Sequence, residues 1–233
     1  SDVGGQAQLA QRLPHRAEFG GIITNLKREL ELTGVEVRTK TRVDRLLIER
    51  EAPDVIVIAT GGRTAMPDLE TISGLQVVSA DELLRDGVKV GKRVVIADRQ
   101  CDWVGIGVAE KLAREGHHVR LAVAGIQPGE FIPLYLRDLG AGQLFDAGVE
   151  VTSYARLYGA DGDTVYFEHV VAKKPIVFEG VDTLVTCFGQ RANRDLEREL
   201  EGLDIETHII GDSLTPRTAE EAVLEGLKVG RAI

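Results

Sequence analysis

Cysteine is nearly missing: Cys101 and Cys187 are the only two, far apart and outside any C-x-x-C spacing. That excludes a disulfide framework and a cysteine-built metal site, and points to a reducing cytoplasm. An excess of positive charge is also missing. Lys and Arg number 28 against 37 Asp and Glu, a net charge of −9, so nothing replaces the counterions condensed on nucleic-acid phosphates and no nucleic-acid partner is expected. No apolar run approaches the roughly 20 residues of a membrane span, and "SDVGGQAQLAQ" has neither a basic leader nor an apolar signal core, so no membrane partner is expected either. Catalytic constellations are absent as well. There is no Ser-His-Asp set, no paired-carboxylate signature and no metal-ligand spacing, and His117 and His118 stand before a strand with no carboxylate or cysteine at ligand distance in sequence. No catalytic centre and no metal site are therefore expected within these residues.

What is present suits an α/β protein. Aromatic residues make up only 5% but glycines number 26, and glycine serves tight strand–helix turns. With 233 residues, 43% of them hydrophobic, the chain can fill one large core or two modest ones. Residues 18–33 carry apolar side chains at 19, 22, 23, 26, 30 and 32, a helical stripe closed by Gly34. "VEVRT" (35–39) and "RVDRLLIE" (42–49) read as short alternating strands. "DVIVIATGG" (54–62) is a continuous β-branched run and reads as a strand buried on both faces. Ser79 and Glu82 form a capping box for a helix over 79–87. Strand 93–97, helix 104–115, strand 118–123 and helix 133–148 follow, then a β-meander over 149–169 that turns at Asp161-Gly162. "VDTLVTCFG" (181–189) repeats the pattern of "PDVIVIATG". The chain closes with helix 191–201, strand 206–212 and a helix from Arg217. The alternation predicts α/β architecture with mainly parallel sheets, in two Rossmann-like three-layer domains, one inserted in the other. The expected division is 1–88 with 188–233, and 89–187 as the insert.

Four stretches in order resemble the C-terminal half of the family that holds trimethylamine, dimethylamine and histamine dehydrogenases and 2,4-dienoyl-CoA reductase. They are "VGGQAQLAQRLPHRAEF", "DVIVIATGG", "GKRVVIADRQCDWVGIGVAEKLAREGHHV" and "HIIGDSLTPRTAEEAVLEGLKVGRAI". The resemblance implies an FAD- or ADP-binding domain whose first βαβ unit, with its G-x-G-x-x-G turn, precedes these residues. It also implies an N-terminal (β/α)8 barrel carrying FMN and a four-cysteine 4Fe-4S cluster, an electron-transfer flavoprotein as acceptor, and a homo-oligomeric full-length protein.

Site residues follow from the same resemblance. Gly4 and Gly5 form a turn that would run beside the pyrophosphate; a flexible terminus is the alternative. Arg42 and Val43 match a loop whose backbone would contact adenine, or are plain surface strand. Thr60 and Gly61 end a strand at the tip where an open α/β sheet binds ligands. Gly211 and Asp212 would meet the flavin's ribityl chain, with Asp212 at the opening of the last helix, and Arg217 would line the same cleft.

The segment from Ala97 to Val104 decides the branch. It has the strand–helix–strand frame of a nicotinamide site, yet where glycines should turn the chain around a pyrophosphate it carries Asp98, Arg99, Asp102 and Trp103. Gly105 and Gly107 fall at or inside the helix start, and two acids would repel a phosphate. NAD(P) is therefore not expected, although a loop rearranged around NAD(P)H through Arg99 is the competing reading. The resulting expectation is the nucleotide-binding portion of a flavin-dependent oxidoreductase, an amine dehydrogenase or demethylase by class. The alternatives are part of an NAD(P)H-dependent enoate or dienoyl-CoA-type reductase, and a non-catalytic nucleotide-binding scaffold.

Overall fold

The structure, a computed structural model, describes residues 3–68 and 72–233. In chain order the elements are α1 (Gly5–Ala10), α2 (Phe19–Leu32), α3 (Arg45–Glu51), β1 (Val55–Ile58), β2 (Gly62–Thr64), β3 (Ile72–Ser73), β4 (Gln76–Ser79) and α4 (Ala80–Asp86). Next come β5 (Arg93–Asp98), α5 (Trp103–Arg114), β6 (His118–Val123), α6 (Leu134–Asp146), β7 (Glu150–Thr152), β8 (Ala155–Asp161), β9 (Thr164–His169) and β10 (Pro175–Phe178). Last are β11 (Thr183–Cys187), β12 (Gln190–Ala192), α7 (Asp195–Glu199), β13 (Glu206–Ile209), a 3-10 turn at Gly211–Ser213 and α8 (Ala219–Gly230). The fold is mixed α/β with parallel sheets, of the Rossmann-like kind. Two compact units share the chain, Ser1–Gly5 with Leu30–Ala65 and Gln190–Ile233, and Gln6–Glu29 with Met66–Gly189.

The second unit is built on a five-stranded parallel sheet in the order β4-β11-β5-β6-β7. Strand β11 is buried at every position and β5 at every position but Arg93, because both faces are covered. On one face Val94, Ile96, Leu121 and Val185 pack with Val108 and Leu112 of α5 and Leu144 of α6. On the other, Val95, Ala97, Ala122 and Leu184 meet Val165 and Phe167 of the β8-β9-β10 meander. Phe167 is 1% exposed, and its ring centre lies 5.4 Å from that of Phe178 with the planes tilted by 57°. The expected capping box is present: Ser79 Oγ accepts from Glu82 N–H at 3.2 Å, and Glu82 Oε2 accepts from Ser79 N–H at 2.9 Å.

The first unit pairs β1 with β13 in parallel and β2 with β12 in antiparallel. Its core is small: Ile48, Ile56, Ile58 and Leu200, with Leu196, Leu203, Ile205 and Ile209 partly buried against them.

Three sequence expectations are corrected here. First, residues 42–49 do not form a strand, because Arg45–Glu51 is helical. Asp44 Oδ1 caps the helix by accepting Leu47 N–H at 2.9 Å, Arg45 pairs with Glu49 one turn on, and Ala52 closes it in the left-handed region. These local bonds outweigh the alternating pattern. Residues 35–39 are not a strand either. Second, β1 is covered on one face only. Ile56 and Ile58 are buried, but Val57 on the opposite face is 40% exposed. Third, the helix expected from 191 starts at Asp195, since Gln190–Ala192 joins β2.

Candidate functional site

In the first unit, β1 and β13 run parallel from Val55↔Glu206 to Ile58↔Ile209, so both strands release the chain at one edge. Ile210 N–H donates to Ile58 O at 3.0 Å, and the buried Ser213 hydroxyl lies 3.0 Å from Ile58 O and 2.7 Å from Ile210 O. These bonds hold the two strand tips side by side. Beyond β1, the Thr60 hydroxyl donates to Asn193 O at 2.8 Å, and Asn193 N–H donates to Gly61 O at 3.1 Å. The Asn193 Oδ1 beside them is buried and accepts no hydrogen bond. Gly61 at φ +74 and Gly211 at φ +62 take the left-handed backbone that a side chain would strain.

Beyond β13, Gly211 N–H donates to Glu225 Oε2 at 2.7 Å, Arg217 pairs with the same carboxylate, and Arg217 N–H donates to Asp212 Oδ1 at 3.2 Å. The Gly211 N–H, and then the Arg217 guanidinium, hold Glu225 below the usual carboxylate range. Thus Thr60, Gly61, Gly211, Asp212 and Arg217 gather at the edge shared by β1 and β13. Asp212 lies in the 3-10 turn, and α8 opens later, at Thr218, through a capping box with Glu221. Glu225 was not anticipated from sequence; it stands one turn past Glu221 and so on the same helix face, which is the signal that marks it.

The other residues singled out by sequence lie elsewhere. Arg42 is exposed and pairs with Glu199 of α7 at 3.1 Å, and Val43 is 41% exposed. Gly4 and Gly5 have positive φ, and Gly5 starts α1. Among the described residues no hydrogen bond or ion pair ties these four to the β1–β13 edge. Cys101 and Cys187 are buried free thiols, both pushed up by burial, Cys101 to about 11. His117 Nδ1 lies 2.8 Å from Gly91 O. Among the described residues no group of three or more His, Cys, Asp or Glu could hold a metal, and no helix is long and apolar enough to cross a membrane.

In the second unit the tip of β5 is filled from within. Asp98 is 1% exposed; its Oδ1 accepts from Gln100 N–H at 3.0 Å and Cys101 N–H at 2.9 Å, and its Oδ2 is buried with no partner. Asp102 caps α5 by accepting Val104 N–H at 2.8 Å. Arg16 lies over the Trp103 ring at 3.5 Å. Gly105 and Gly107 are inside α5, where each admits a neighbour that a Cβ would strike, the Asp98 carboxylate and the Leu13 side chain respectively. A hollow of about 370 Å³ opens at the C-terminal ends of β5 and β6, lined by Ala97, Arg99, Ala124, Arg156, Leu157 and Phe188 among others. Arg156 is tied to Glu168 at 2.7 Å, whereas Arg99 forms no ion pair among the described residues and lies 5.7 Å from the Phe188 ring centre.

No protein-family model matches the chain. N,N-dimethylglycine/sarcosine dehydrogenase of Chromohalobacter salexigens is 33% identical over 148 residues, covering 59% of this chain and 21% of that protein. A probable N-methylproline demethylase of Rhizobium meliloti is 36% identical over 123 residues, 52% of this chain and 18% of that protein. In fold, histamine dehydrogenase of a Rhizobium species matches with a TM-score of 0.90 at 19% identity, covering 100% of this chain and 39% of that one. The chain thus spans about a fifth of these curated relatives. In sequence it is similar to part of N,N-dimethylglycine/sarcosine dehydrogenase and of dimethylamine dehydrogenase, and in fold to part of histamine dehydrogenase.

Proposed function

We propose that this chain is the nucleotide-holding portion of a flavin-dependent oxidoreductase that oxidises a methylated amine, and that its first unit holds FAD or ADP at the edge shared by β1 and β13. The observation that carries the reading is the convergence of Thr60, Gly61, Gly211 and Asp212 on that edge, where an open α/β sheet takes its ligand. The groups there suit a sugar or polyol. Asp212 and the buried Asn193 Oδ1 are acceptors for hydroxyls, and Gly61 has open space on its Cβ side. The phosphate donors there are already engaged, because Gly211 N–H donates to Glu225 and the Arg217 guanidinium pairs with the same carboxylate. The pyrophosphate therefore belongs to the expected βαβ unit outside these residues. Bound FAD supplies electron-accepting chemistry; bound ADP is structural. Substrate oxidation at FMN, an iron–sulfur cluster and an electron-transfer flavoprotein belong to the expected N-terminal barrel, in a cytoplasmic homo-oligomer.

One feature favours the alternative, an NAD(P)H-dependent reductase. The hollow beside β5 and β6 is lined by Arg99, which forms no ion pair among the described residues. Against it, the Gln100 and Cys101 N–H groups of the loop beside that hollow donate to the Asp98 carboxylate. The test is to express the complete reading frame. Acid-released FAD or ADP together with FMN and iron, and reduction of the flavin by methylated amines, are expected. A colourless protein without nucleotide or iron contradicts the proposal.

A further inference from the structure

A βαβ frame of the dinucleotide type takes a phosphate between the end of its first strand and the N-terminus of the following helix. In the second unit that place lies between β5 and α5. The loop's Gln100 and Cys101 N–H groups point at one oxygen of Asp98, at 3.0 and 2.9 Å, and Val104 N–H points at Asp102 at 2.8 Å. The second Asp98 oxygen is buried without a partner, against Gly105 in the first turn of α5, where a Cβ would collide with it. An Asp side chain that merely shaped the turn would account for the first oxygen. It would not account for burying the second, which is costly without a partner, nor for a glycine at 105.

We propose that Asp98 is an internal stand-in for the phosphate: its carboxyl takes the hydrogen bonds of the loop, occupies the notch at Gly105 and so closes the second unit to an external dinucleotide. This rests on the reading that the second unit takes no nicotinamide, and it names the residue responsible. The charge that the stand-in carries depends on its surroundings. Burial pushes the carboxyl up to about 7, the Cys101 and Gln100 N–H groups pull it down, and Asp102 raises it. The N-terminal dipole of α5 also favours the anion. The thiols of Cys101 and of Cys187, on β11, are pushed up by burial and by Asp98 itself, and so stay neutral at pH 7.

The test compares wild type, Asp98→Asn and Asp98→Gly in the full-length protein, with formate, inorganic phosphate and NADH as probes against chloride at equal ionic strength. Asp98→Gly vacates the notch and frees two N–H groups. Formate or phosphate should therefore raise its Tm by about 2–4 °C more than that of the wild type or Asp98→Asn. NADH affinity should rise at least tenfold over wild type. If the anions shift all three proteins equally and NADH binding does not change, Asp98 is an ordinary turn residue and the assignment falls. Should Asp98→Gly fail to fold, Asp98→Ser gives the same comparison, since its shorter side chain also leaves Gly105 uncovered. Gly105→Ala adds a check independent of ligands: it should lower Tm in the wild type and be tolerated beside Asp98→Gly, and an equal loss in both backgrounds would contradict the contact. Saturable micromolar NADH binding by the wild type would overturn the underlying reading as well. Its absence together with an anion-indifferent Asp98→Gly overturns this inference alone.

Discussion

The two units end their central strands in opposite ways. At the end of β5 the second unit supplies its own acid, Asp98, and Arg16 lies over the Trp103 ring at the start of α5. Beyond β1 and β13 the first unit leaves glycines in the left-handed region, open space beside Gly61 and acceptors on Asn193 and Asp212. Their cores differ in the same sense. β5 and β11 are covered on both faces, whereas β1 buries Ile56 and Ile58 and leaves Val57 40% exposed. A frame of strands and helices can persist after its ligand position has been filled, so the frame alone does not identify a cofactor. What the strand tips offer does.

The largest expected difference is in stability. Phe167→Ala opens a cavity in the closed core of the second unit and should cost roughly 3–5 kcal/mol, while Val57→Ala on the open face of β1 should cost less than about 1 kcal/mol, both read from urea midpoints. Equal losses would erase the distinction between a doubly and a singly covered strand.

A pH series sharpens the picture at β5. Burial pushes the Asp98 carboxyl up from its ordinary value of 3.8 to about 7 in the folded chain. Between those values the folded state keeps a proton that the unfolded state releases, so this group's contribution is full below pH about 4 and is lost as pH rises through about 7. The difference should be on the order of 4 kcal/mol in wild type and absent in Asp98→Asn, measured as the change in unfolding free energy from pH 4 to 8. Parallel curves for the two proteins would mean that the carboxyl is ionised throughout.

The smallest effect concerns the first unit. If the full-length protein holds FAD, Asp212→Ala should weaken retention by roughly ten- to a hundredfold, the worth of a charge-assisted hydrogen bond to a hydroxyl, and Asp212→Asn by less. If it holds ADP, Asp212→Ala should leave affinity nearly unchanged. Undiminished FAD affinity in Asp212→Ala would remove Asp212 from the site and leave Thr60 and Gly61 to carry it.

Much of the second unit is legible in the sequence, because its signals are local. The apolar run around Ile96, the helical stripe through Val108 and Leu112, and the Ser79–Glu82 box each declare themselves within a few residues. The first unit is harder. "RVDRLLIE" alternates like a strand, and the deciding features are the Asp44 cap and the Arg45–Glu49 pair. The β2–β12 ladder joins Gly62–Thr64 to Gln190–Ala192, a pairing that no local pattern announces. At the sites, the glycines beyond β1 and β13 are visible as strand-ending signals, but the Glu225 bond to Gly211 depends on where α8 lies. The acids at 98 and 102 are plain in the sequence. That Asp98 takes the loop N–H groups while Asp102 caps α5 is a matter of backbone geometry.

The contrast between a filled and an open strand tip is tested most directly by titrating NADH and NADPH into the full-length wild-type protein, following both heat and the flavin absorbance. No saturable binding at sub-millimolar concentration and no bleaching of the flavin are predicted, because Asp98 holds the place of the phosphate. A micromolar dissociation constant for either nucleotide, with reduction of the flavin, would contradict the assignment of the second unit and move the protein to the NAD(P)H-dependent reductases.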